Sequence, residues 1–84
     1  MNQVKVTVIS QQGHCAYHHK VGDAWVCGGT TPGGLCASAY STIYPTLRAL
    51  GAGGKFDWAN ADGSLDMCCS DHKNPVIMRL QVIE

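Results

Sequence analysis

The run Leu35-Cys36-Ala37-Ser38-Ala39-Tyr40-Ser41-Thr42-Ile43-Tyr44-Pro45-Thr46-Leu47-Arg48-Ala49-Leu50 decides how this chain folds. Cys36, Ala39 or Tyr40, Ile43, Leu47 and Leu50 recur at helical spacing, which predicts one amphipathic helix from about Leu35 to Leu50. Thr31 followed by Pro32 offers a cap and a first-turn proline for its start. Pro45 lies inside the pattern and removes the hydrogen bond to the Ser41 carbonyl, so a kink or break is expected there. Gly51, Gly53 and Gly54 then end the helix in a C-cap and loop.

On both sides of the helix the period changes to two. Val4, Val6 and Val8 alternate with Lys5 and Thr7, so residues 3–9 read as a half-buried strand. Ala24-Trp25-Val26-Cys27 reads as a second, short strand after the Val21-Gly22-Asp23 turn. Beyond the helix, Leu65-Asp66-Met67-Cys68-Cys69 suggests a third strand. Val76, Met78, Leu80 and Val82 alternate with Arg79 and Gln81 as a fourth. The order β-β-α-β-β predicts a small α+β fold with one helix packed on an antiparallel or mixed sheet, a single domain over residues 1–84. A C-terminal strand at the sheet edge would admit a homodimer.

Composition excludes several classes of function. Six basic residues balance six acidic ones, so no basic field exists to displace phosphate counterions and no nucleic-acid partner is expected. The chain is 45% hydrophobic and 14% charged, unlike a disordered segment. No run approaches the roughly 18–20 apolar residues that cross a bilayer, so no membrane partner is expected. Met1-Asn2-Gln3-Val4-Lys5 lacks a signal peptide's basic-then-apolar build, which points to the cytoplasm.

The distinctive chemistry lies in five cysteines and four histidines. An odd number of thiols in a reducing compartment fits ligands or catalytic groups better than a disulfide framework. Cys15 and His19 are one helical turn apart in sequence, within the loop that also carries His14 and His18. Cys36 follows a glycine-rich loop and falls in the first helical turn, where free N–H groups favour a thiolate. Cys68 and Cys69 are neighbours on a strand and should face opposite ways, so one belongs to a site and the other packs. Cys27 reads as a purely structural thiol. No CxxC pair occurs, which argues against a zinc ribbon. Against each functional reading stands a plain one, with solvated loop histidines and cysteines packed as small hydrophobes.

Nearly the whole chain resembles a family of small, functionally uncharacterised prokaryotic proteins common in anaerobes. The residues that carry the resemblance are Gly13 and Cys15, then His19-Lys20-Val21-Gly22-Asp23, then Thr31-Pro32-Gly33-Gly34-Leu35-Cys36. They continue through Tyr44-Pro45 and Gly53-Gly54-Lys55-Phe56-Asp57-Trp58 to Cys69-Ser70-Asp71 and Asn74-Pro75-Val76. The resemblance implies recurrent metal-capable positions at Cys15, His19, Cys36 and Cys69, around a metal or iron–sulfur site with no established reaction. His18 falls where family members often carry a glycine.

The expectation is therefore a small cytoplasmic metal-site protein binding an iron–sulfur cluster, 4Fe-4S in type, through Cys15, Cys36 and Cys69, with His19 as a further metal ligand. It would act as a redox or accessory module toward a redox partner or small molecule not identified by the sequence. Zinc held by three cysteines and a histidine is the alternative metal, in a stabilised structural or interaction module. A second alternative is an enzyme using Cys36 as a low-pKa nucleophile, with His19 or His72 as base.

Overall fold

A computed structural model describes residues 2–83. Its strands are β1 (Val4–Gln11), β2 (Ala24–Cys27), β3 (Leu65–Cys68) and β4 (Val76–Val82), with one helix, α1 (Ala37–Gly51), between β2 and β3. The fold is the α+β arrangement expected, and all three strand pairings are antiparallel. The sheet order is β2-β1-β4-β3, so α1 links the two edge strands.

The period-two pattern sets the layers. Val4, Val6, Val8, Cys27, Leu65, Val76, Met78 and Leu80 point to one face and are buried there. Ala39, Ile43, Leu47 and Leu50 of α1 complete the core against them. Among the described residues no helix covers the opposite face, where Asp66 meets Arg79 across the β3–β4 ladder at 2.8 Å.

Four expectations need correction. The helix starts at Ala37, and the cap is Cys36, not Thr31: its Sγ accepts the Ala39 N–H at 3.4 Å. Pro45 does not break the helix. It costs one N–H donor, and the partner carbonyl it leaves belongs to exposed Ser41, where water can satisfy it. β3 ends at Cys68, one residue early. β4 is not an edge: it lies between β1 and β3, leaving β2 and β3 as edges.

At the other end of α1, Gly53 N–H bonds the Leu50 carbonyl at 3.1 Å and Gly54 N–H bonds the Ala49 carbonyl at 2.9 Å. This is a Schellman cap, with Gly53 at φ +96° supplying the left-handed residue it requires. Among the described residues, no helix is long and apolar enough to cross a membrane.

Candidate functional site

The antiparallel registers bring the end of β1, the start of β2, the end of β3 and the start of β4 to one end of the sheet. Two loops cover that end, 12–23 between β1 and β2 and 69–75 between β3 and β4. They are tied together by His14 N–H to Asn74 Oδ1 at 2.8 Å and Gln12 N–H to the Pro75 carbonyl at 3.0 Å. Gly13 makes this approach possible, because a Cβ there would collide with Asn74 Oδ1 and its φ is +68°.

Asp71 shapes the second loop. Its Oδ1 accepts the Lys73 and Asn74 amides at 3.0 and 3.2 Å, and Oδ2 accepts Asn74 Nδ2 at 3.1 Å. The Asn74 side chain, followed by these amides, holds the carboxyl below the usual aspartate range.

The first loop carries two of the expected residues. Cys15 is half-buried against the core, and its carbonyl accepts the His18 N–H at 2.9 Å. His18 sits at φ +62°, which glycine adopts freely and other residues seldom do. His19 turns inward and is only 6% exposed. Its ring stands edge-on to Trp25 with centroids 5.1 Å apart, and Nε2 accepts the Cys36 amide at 3.1 Å. An accepting Nε2 carries a lone pair, so in this geometry the imidazole proton resides on Nδ1.

Cys36 thus reaches the same end through the start of α1, held by His19. Cys69 arrives from the third side. In a regular ladder its carbonyl would accept the Val76 N–H; here its Sγ does so, at 3.4 Å, while its own N–H bonds the Val76 carbonyl at 3.0 Å. The side chain has taken the carbonyl's place in the ladder.

The fold therefore gathers Cys15, His19, Cys36 and Cys69 at one end of the sheet. Their donor atoms are not arranged as a finished site: among the described residues, no group of three or more His, Cys, Asp or Glu is placed to hold a metal ion. The sulfurs of Cys36 and Cys69 each already accept a backbone N–H, the kind of support that tunes thiolate ligands in iron–sulfur proteins. This donor chemistry fits a soft metal or cluster. His19 is differently engaged, since the amide of Cys36 uses its Nε2 lone pair. Among the described residues, its ring makes no hydrogen bond to the Cys36 sulfur, as a nucleophile–base pair would.

The remaining candidates lie apart or face solvent. Cys27 is fully buried in the core, and burial pushes its thiol up, as a structural role requires. His14, His18 and His72 are exposed. Cys68 is half-buried at the end of β3, and burial, then the Cys69 thiol beside it, push its thiol up.

Sequence reasoning did not anticipate a cleft of about 640 Å³ at the opposite end, lined by Asn2, Leu50, Phe56, Asp62, Ser64 and Gln81 among others. Its polar groups bond one another: Ser64 Oγ donates to Asp62 Oδ1 at 2.6 Å, and Asn60 Nδ2 donates to Ser64 Oγ at 3.0 Å. Turn chemistry accounts for them, and the cleft lies far from the thiols. Comparison with protein-family models, with curated proteins and with solved structures returned no match.

Proposed function

We propose that this protein is a small metal-site module of a reducing compartment such as the cytoplasm, binding an iron–sulfur cluster through Cys15, Cys36 and Cys69. One observation carries the reading. Thiols from three separate segments reach one end of the sheet, and two of their sulfurs, those of Cys36 and Cys69, each accept a backbone N–H.

A bound cluster would supply electron transfer. The chain's own residues do the rest. His19 holds the Cys36 amide, and so fixes the start of α1 against the 12–23 loop. Val76 orients the Cys69 sulfur from the first residue of β4. With Nε2 of His19 occupied, the ready donors are three thiols. Three thiolates suit a cluster with a variable fourth ligand, such as the 4Fe-4S type, whereas closed structural zinc needs four protein ligands.

Iron and acid-labile sulfide analysis of anaerobically purified protein, with an absorption spectrum, tests this. Iron with sulfide and a broad visible band is expected. Zinc without sulfide would replace the cluster with a structural ion, and protein free of both metals would overturn the metal reading.

A further inference from the structure

His14 and His18 belong neither to the core nor to the proposed metal centre. The segment that carries them is not helical, so no helix face brings them together. A turn does so instead. The His18 N–H bonds the Cys15 carbonyl at 2.9 Å, and His18 itself takes φ +62°, which doubles the chain back on His14. The two ring centroids then lie 5.4 Å apart, with the planes at 73°. The His14 backbone is pinned as well, through its N–H to Asn74 Oδ1 at 2.8 Å. Both residues are exposed, and among the described residues neither ring makes a hydrogen bond.

That spacing suits a shared ion. A metal about 2.0–2.1 Å from one nitrogen of each imidazole puts the ring centres about 4.5 Å apart for a right-angled pair of bonds and about 6.4 Å apart for a linear pair. The observed separation lies between these limits. Rotation about the side-chain bonds, which no hydrogen bond opposes, aims one nitrogen of each ring at the ion. The turn and the tie to Asn74 order both backbones beforehand, so less entropy is lost on binding. Imidazole favours divalent ions such as nickel, copper and zinc.

We propose that His14 and His18 form an exposed two-imidazole site for a divalent transition-metal ion, with water in its remaining positions. Among the described residues no third His, Cys, Asp or Glu is placed to close it, so the ion exchanges readily with solvent. The site uses none of Cys15, Cys36 and Cys69 and stands whether or not a cluster binds.

The test titrates nickel(II) into the full reduced chain and follows the imidazole C–H resonances by NMR. The His14 and His18 signals should broaden together at the first additions, ahead of those of His19 and His72. His18→Gly should weaken nickel binding at least tenfold, and glycine accepts φ +62° freely, so the turn should persist in that variant. His14→Ala should weaken binding as much, and Cys15→Ser should keep it. Wild-type affinity in His18→Gly, loss of binding in Cys15→Ser, or equal broadening at His72 overturns the proposal. So does nickel held by thiolate, seen as near-ultraviolet charge-transfer bands while both rings stay sharp, or no binding at all. Localisation in the wild-type chain keeps the test decisive if a variant folds poorly. Iron and sulfide content, measured separately, reports on the cluster alone.

Discussion

Nε2 of His19 accepts the backbone N–H of Cys36 at 3.1 Å, joining the loop after β1 to the first residue before α1. The bond spans 17 positions of sequence and fixes where the helix begins relative to the sheet. It also makes one residue of the expected ligand set the support of another. Stability and metal content should therefore respond differently to changes at the two positions.

His19→Ala removes the one acceptor that the Cys36 amide has among the described residues and leaves a gap beside Trp25. An unsatisfied, partly buried amide costs about 1–3 kcal/mol. For a domain of this size each lost kcal/mol lowers the melting temperature by roughly 4–8 °C. Thermal unfolding followed by circular dichroism checks this, and an unchanged midpoint would show that the bond does not support the fold.

At Cys36 itself, cap and ligand roles separate. Serine is a good N-cap, so Cys36→Ser should leave urea-unfolding stability within about 0.5 kcal/mol, whereas Cys36→Ala should cost about 1 kcal/mol. Both variants should lose most bound iron. Iron content that is wild-type in Cys36→Ser would remove Cys36 from the metal centre.

Gly13→Ala should be costly for two reasons: its φ of +68° strains an alanine, and the new Cβ would strike Asn74 Oδ1. A loss of about 1–3 kcal/mol is expected, with the tie between the 12–23 and 69–75 loops broken. Amide exchange at His14 should rise with it, since its N–H bonds Asn74. Protection at His14 equal to wild type would contradict the proposed tie.

Acid should weaken the fold. The Ser64 hydroxyl holds the Asp62 carboxyl down, Arg79 holds Asp66 down, and Asn74 holds Asp71 down. Carboxylates depressed on folding contribute stability above their unfolded value, about 4, and lose it as pH falls through the lower folded value. The denaturation midpoint should thus be flat from about pH 7 to 5 and drop below about 4. Asp66→Asn should make that drop shallower. Cys27 and Cys68 act with the opposite sign, because their raised values contribute stability that is lost as pH climbs past about 8.5. A midpoint constant down to pH 2 would contradict the acid limb.

Cys27 should resist iodoacetamide in the native state and react only after unfolding, since it is fully buried between β2 and the helix layer. Peptide mapping after timed alkylation checks this, with the half-buried cysteines as internal comparison. Labelling of Cys27 at their rate would show that the β2 edge opens.

Local chemistry determined most of the architecture. The alternation at Val4, Val6 and Val8 and at Val76, Met78 and Leu80 encodes which face of each strand is buried, because side chains alternate about the strand axis. The spacing of Ala39, Ile43, Leu47 and Leu50 encodes the helix, and Gly53 its end, for equally local reasons. That a loop held Cys15 and His19 was readable in the same way, and so was a helix start close to Cys36, though not the role of Cys36 as its cap. What needed the tertiary structure were relationships between distant segments. The placement of β4 inside the sheet depends on pairing with β1, more than 60 residues earlier in the chain, which no local period reports. Pro45 was tolerated because Ser41 is exposed to water. His19 became the support of Cys36 because the loop after β1 lies against the helix start. At Cys69 the sulfur, rather than the carbonyl, met the Val76 amide, because that residue came to lie opposite the start of β4. These are contacts formed by folding, and only their partners' positions in space could decide them.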